Sequence, residues 1–199
     1  MFDRAMRRLI DPPLDAAGRF LARLGASADA ITFTGLGFGL MAAGAIAVGV
    51  DGAGLALILL SRFCDGLDGA VARATARTDR GGFFDILADF AFYGAIPLAF
   101  AFRDPGANAL AAAALLFAFY VNGVSFLAFA ATAARHGWES TVHGAKSLYF
   151  TVGLMEGTET ILFFVAMALF PGWFAPLAWV FAALTLLGAI GRAILAWTT

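Results

Sequence analysis

The stretch Asp65-Gly66-Leu67-Asp68-Gly69-Ala70-Val71-Ala72-Arg73, followed by Gly81, Asp85 and Asp89, sets four carboxylates into sequence that is otherwise apolar. An ionisable group inside a membrane costs about 2.5–3.5 kcal/mol on insertion scales, so four facing lipid would cost on the order of 10 kcal/mol. They must face one another, a cation or water. Asp65 and Asp68 are spaced i,i+3, and Asp85 and Asp89 i,i+4, so each pair shares one face of its helix. The short Ala74–Gly81 connection makes the two helices antiparallel neighbours. At about 1.5 Å per residue, Asp68 lies roughly 8 Å inside the end near Arg73, and Asp85 and Asp89 roughly 5–10 Å inside theirs. All four carboxylates are expected at one depth, just below one membrane surface.

The rest of the chain supports a membrane setting. Of its 199 residues, 61% are hydrophobic and 14% charged, and the mean hydropathy is +0.84. A soluble domain carries about 25% charged residues, so an ordinary globular domain is excluded, and so is disorder. A formal net charge of −1 argues against a nucleic-acid partner. Cys64 is the single cysteine, so no internal disulfide staples the fold.

A spanning helix needs roughly 20 apolar residues. Stretches of that kind run over Ala30–Gly49, Ala53–Arg73, Gly82–Phe102, Ala107–Ala134, Leu148–Phe170 and Trp173–Trp197. The sequence predicts an all-α integral membrane protein of six transmembrane helices, with residues 26–199 as its membrane domain. Residues 1–25 carry Arg4, Arg7, Arg8, Arg19 and Arg23 beside apolar residues near helical spacing, with Pro12 and Pro13 interrupting. They read as an amphipathic helix on the membrane surface, not as a cleavable signal peptide. With six spans both termini share a side, together with Arg77, Arg80, Arg135 and Lys146; the other side holds Arg103. That excess of positive charge predicts cytoplasmic termini.

Four carboxylates packed together repel unless a cation intervenes. All-oxygen ligation suits Mg²⁺ or Mn²⁺, and two such ions match Asp65, Asp68, Asp85 and Asp89 plus a phosphate-bearing ligand. Cys64 reads as packing. Gly66, Gly69 and Ala70 lack the side chains that would hold a ligand off the backbone, and Arg73 offers a forked donor suited to phosphate. Small residues also serve helix packing, but their interleaving with aspartates favours a phosphate.

This string resembles the signature of the CDP-alcohol phosphotransferases, D-x-x-D-G-x-x-A-R, a short gap, then G-x-x-x-D-x-x-x-D. Asp65, Asp68, Gly69, Ala72, Arg73, Gly81, Asp85 and Asp89 fill every fixed position. The stretch from Lys146 to Thr160 is similar to a small bacterial inner-membrane branch of that family. The resemblance implies transfer of a phosphatidyl-type group from CDP-diacylglycerol to an acceptor hydroxyl, with release of CMP. It implies dependence on Mg²⁺ or Mn²⁺, a homodimer, a bacterial inner membrane and a site open to the cytoplasmic leaflet. Asp65, Asp68 and Asp85 would be the main metal ligands. Asp89 would be the general base, touching the second metal as well, and Gly69, Ala72 and Arg73 would form the nucleotide and diphosphate site.

The resemblance implies a small alcohol or phosphorylated alcohol as acceptor and leaves its identity open. Lys146 and Arg192 are candidates to bind a phosphate on it, against a reading as ordinary positive-inside anchors. Glu156 and Glu159, spaced i,i+3 in an apolar stretch, face the bundle interior and suit either polyol hydroxyls or an internal structural role. His136 and His143 read as loop residues. A metal-ion or proton-coupled transporter would also bury carboxylates, but it would distribute polar groups across the whole bilayer. Clustering near one face favours chemistry over transport.

Overall fold

The computed structural model describes residues 3–135, 155 and 157–198, and among them every regular element is helical. Glycine sets the first two turns. Helices α1 (Asp3–Arg23) and α2 (Ala28–Ala47) each lead into a glycine in the left-handed region, Gly25 at φ 81° and Gly49 at φ 80°. Each closes a Schellman turn: Ala26 N donates to Leu21 O and Gly25 N to Ala22 O, while Val50 N donates to Ala45 O and Gly49 N to Ile46 O. Helix α3 (Asp51–Ala74) follows. Helix α4 (Asp79–Arg103) starts at Thr78, whose hydroxyl accepts Gly81 N at 3.0 Å while Asp79 sits at the positive helix end. Helices α5 (Pro105–Arg135) and α6 (Gly157–Leu169), a 3-10 turn (Pro171–Trp173) and α7 (Phe174–Thr198) complete the described chain.

Helix α2 packs on both α3 and α4, α4 on α5, and α5 on α7. A Cβ on Gly39 would come within 2.6 Å of Phe92 Cδ2, and one on Gly35 within 2.9 Å of the Cys64 Cβ. These two small residues, one turn apart, let α2 approach its neighbours closely. Buried Phe92, Phe164 and Phe181 interlock with Phe119, edge to face in the Phe92–Phe164 and Phe119–Phe181 pairs. At the end away from the α3–α4 connection, Arg103 pairs with Asp51 and ties the end of α4 to the start of α3.

The expected spans fall on these helices with shifts of one to three residues at most ends where both are described. Among the described residues four segments are long and apolar enough to cross a membrane: Ala28–Ala47, Asp79–Arg103, Pro105–Thr132 and Pro171–Trp197. Their outward residues include Leu40, Met41, Leu110, Phe117, Leu187 and Ile194, all exposed, as lipid contact requires. Helix α3, at 24 residues, is long enough, but it carries Asp51, Arg62, Asp65, Asp68 and Arg73. Of the expected fifth span, residues 148–154 and 156 lie outside the described residues, and 157–169 form the 13-residue α6.

The expected interruption at Pro12 and Pro13 is not seen. Both lie inside α1, on its exposed side, where water can take the carbonyls their missing N–H groups leave unpaired. On the opposite side Leu14, Ala17 and Leu21 pack against Leu67, Ala70 and Ile31. A Cβ on Gly18 would stand 2.7 Å from the Ala70 carbonyl carbon, so α1 lies directly against the signature segment of α3.

Candidate functional site

Antiparallel α3 and α4 bring the acidic residues together as their spacing requires. Carboxylate oxygens of Asp65, Asp85 and Asp89 all lie within 4.8 Å of one another. Asp85 is exposed, whereas Asp65 and Asp89 are half-buried. Asp68 takes a different direction. It is buried, and its Oδ2 accepts the hydroxyl of Thr32, on α2, at 2.5 Å. Three of the four expected aspartates therefore share a cluster, with the fourth one turn along α3 and held by α2.

Three hard carboxylates at this separation fit a divalent ion of the Mg²⁺ or Mn²⁺ type, and among the described residues no nitrogen or sulfur donor belongs to the cluster. Cys64 instead packs toward Gly35.

Beside the cluster opens a cavity of about 1110 Å³ between the start of α2, the end of α3 and the start of α4. Asp68, Gly69, Ala72, Arg73 and Asp85 all line it, so the expected diphosphate residues and two of the expected metal ligands face one space. Its rim is closed by an ion pair between Arg80 Nη2 and Asp29 Oδ2 at 2.5 Å. Asp65 and Asp89 lie one turn deeper along their helices. Arg73 reaches back to α1, where its Nε and Nη2 donate to Asp15 Oδ1 at 3.0 and 2.7 Å.

Arg62 was not among the expected site residues, yet it joins the cluster. Its Nη1 donates to Asp89 Oδ1 at 2.7 Å and lies 3.4 Å from Asp65 Oδ1. A sequence signal existed, since an arginine one turn before Asp65 in an apolar helix needs an anion. Asp15, Asp29 and Thr32 were missed too, because each comes from a helix remote in sequence.

Arg192 lies elsewhere. Its Nη1 donates to Asn122 O, Asn122 Oδ1 and Ser125 Oγ at 3.2, 3.1 and 2.5 Å, beside a second cavity of about 230 Å³ between α5 and α7. Glu159 stands in the first turn of α6. Lys146, Glu156, His136 and His143 lie outside the described residues.

Known proteins match both the sequence and the fold. The family described as CDP-alcohol phosphatidyltransferase matches residues 26–191. The chain is 46% identical over 184 residues to the inner membrane protein YnjF of Escherichia coli (strain K12), covering 92% of this chain and 89% of that one. Its fold is similar to the crystal structure of Mycobacterium tuberculosis phosphatidylinositol phosphate synthase (PgsA1) with CDP-DAG bound. That match has a TM-score of 0.65 and 20% identity, over 93% of this chain and 94% of that one. With an intact signature and a family match over most of its length, the chain belongs to the CDP-alcohol phosphatidyltransferase family, whose members transfer phosphatidyl groups.

Proposed function

We propose that this protein moves a phosphatidyl-type group from CDP-diacylglycerol to the hydroxyl of a small alcohol or phosphorylated alcohol and releases CMP. One observation carries the reading: the Asp65, Asp85 and Asp89 carboxylates converge beside a cavity lined by Gly69, Ala72 and Arg73. Such a cavity is roomy enough for a nucleotide diphosphate, and glycine at 69 lets that ligand approach the backbone.

In this reading Asp65, Asp68 and Asp85 would be the main holders of two divalent ions, Mg²⁺ or Mn²⁺, with Asp89 beside them. Bound there, the ions would offset the negative charge that develops on phosphorus and on the departing nucleotide. Arg73 binds diphosphate oxygens through its forked donor. Asp89 takes the proton of the acceptor hydroxyl as its oxygen bonds to phosphorus and the bond from phosphorus to CMP breaks. Lys146, Glu156, Glu159 and Arg192 are the candidates for gripping the acceptor.

The membrane arrangement belongs to the same proposal. Helices α3 and α6 join the four apolar segments as spans, making six, and the α1 helix lies on the cytoplasmic surface. Both termini face the cytoplasm of a bacterial inner membrane, and the enzyme works as a homodimer. Two of the α3 charges turn inward, as a span requires: the Arg62 side chain is 8% exposed and Asp68 is buried.

Purified protein with CDP-diacylglycerol and Mg²⁺ or Mn²⁺ tests the reaction against glycerol 3-phosphate, serine, inositol, inositol phosphate, glycerol and choline. CMP release that requires one acceptor and vanishes in Asp89→Asn is the expected result. Divalent-ion transport into liposomes without CMP release would overturn it.

A further inference from the structure

Arg62 is the charge beside the aspartate cluster that the reaction above leaves unused, and its surroundings are built to hold it still. Its side chain is 8% exposed. The guanidinium carbon sits 4.0 Å from the centre of the Phe92 ring, itself fully buried. Nη2 donates to Ser61 Oγ at 3.2 Å, and that hydroxyl in turn donates to Gly35 O at 2.7 Å. Nε has no hydrogen-bond partner among the described residues. An unpaired buried N–H is costly, so the guanidinium is placed for what Nη1 does, not for its own satisfaction.

Nη1 favours one carboxylate. It lies 2.7 Å from Asp89 Oδ1 and 3.4 Å from Asp65 Oδ1, while Asp85 is turned to the open cavity. A divalent ion ligated through Asp89 Oδ1 would stand against a fixed guanidinium, and like charges a few ångströms apart in a poorly solvated site repel strongly. Resting on the function proposed above, we propose that Arg62 is a positioning residue that competes with the divalent ion for Asp89, keeping that carboxylate free for the acceptor hydroxyl.

A merely structural ion pair and this competition predict opposite signs. Loss of a structural pair loosens the site and weakens ion binding. Loss of a competitor tightens it. Mn²⁺ titration of the full chain in detergent, followed by the electron paramagnetic resonance of free Mn²⁺, reads the difference in wild type, Arg62→Met and Arg62→Lys. Arg62→Met is expected to bind Mn²⁺ about tenfold more tightly, as removal of one nearby like charge allows. Arg62→Lys, whose compact ammonium lacks the fork, is expected to fall between them. In the same variants kcat is expected to fall with the KM for CDP-diacylglycerol unchanged, because the base and not the lipid site is disturbed. Equal or weaker Mn²⁺ binding in Arg62→Met overturns the proposal, and if that variant does not fold, wild-type affinity in Arg62→Lys does so. Asp85→Asn marks the site. If wild-type protein shows no Mn²⁺ binding sensitive to Asp85→Asn, the metal site itself fails, an outcome distinct from an Arg62 that merely does not compete.

Discussion

Arg73 and Asp15, 58 residues apart, are joined by two hydrogen bonds to a single carboxylate oxygen, so the α1 helix holds an arginine of the signature. The bonds use the Nε and Nη2 edge of the guanidinium. Nη1 is left beside Gly69, where an added Cβ would meet it at 3.4 Å. Asp15 thus leaves the free corner on the side of the cavity that Gly69 and Arg73 line. Both side chains are 36% exposed, and a pair in that setting is worth about 1 kcal/mol at most. Asp15→Ala is therefore expected to raise the KM for CDP-diacylglycerol by up to about fivefold, with kcat and the thermal midpoint nearly unchanged. Steady-state kinetics at saturating acceptor check this, and an unchanged KM would remove α1 from substrate binding.

Two glycines in the contact between α1 and α3 should differ sharply. A Cβ at Gly18 meets the Ala70 backbone at 2.7 Å, whereas one at Gly66 meets the Leu14 Cδ1 tip at 2.8 Å. Backbone cannot yield without moving the helix, but a leucine tip can rotate. Gly18→Ala should cost about 1–3 kcal/mol, as overpacking does, and Gly66→Ala less. Thermal unfolding in detergent ranks them; the reverse order would show that α1 does not sit on α3 in solution.

The acidic site was legible because charge in apolar sequence has few stable destinations. The spacing of Asp65 with Asp68, and of Asp85 with Asp89, fixed a shared face, and the short connection fixed an antiparallel pair; the 4.8 Å cluster follows from both. Which carboxylate would turn away was not legible. Asp68 is held by Thr32, 36 residues earlier, and that partner depends on how closely α2 approaches α3. Arg62 shows the same limit: its charge stands out in the sequence, but Asp89 lies 27 residues on, across a helix interface. Pro12 and Pro13 misled because local rules price a missing N–H without knowing which side of the helix faces water.

Thr32 carries a prediction of its own. Thr32 and Asp68 are 8% and 5% exposed, so water cannot readily replace the 2.5 Å hydrogen bond between them. Thr32→Val keeps the shape and removes the hydroxyl. A hydrogen bond to a charged group is worth about 1.5–3 kcal/mol, and its loss leaves the Asp68 carboxylate buried with one partner fewer. We expect a lower thermal midpoint and a fall in CMP release that Thr32→Ser largely rescues. Equal loss in both variants would assign the effect to packing of the methyl group.

Chelation separates what a divalent ion does for chemistry from what it does for the fold. In small metal-dependent domains removal of the ion unfolds the chain, because uncompensated ligands cannot stay together. Here Arg62 already sits between Asp65 and Asp89, at 3.4 and 2.7 Å, and Thr32 holds Asp68. Asp65, Asp68 and Asp89 therefore keep a counter-charge or a hydrogen bond without an ion, and Asp85 is exposed to water. EDTA is expected to abolish CMP release, and added Mg²⁺ or Mn²⁺ to restore it. The helical circular dichroism should persist, with the midpoint lowered by about 1 kcal/mol of lost ion binding, or roughly 2–4 °C for a chain of this length. Collapse of the helical signal on chelation would mean that Arg62 does not compensate the cluster, and that the ion is part of the fold.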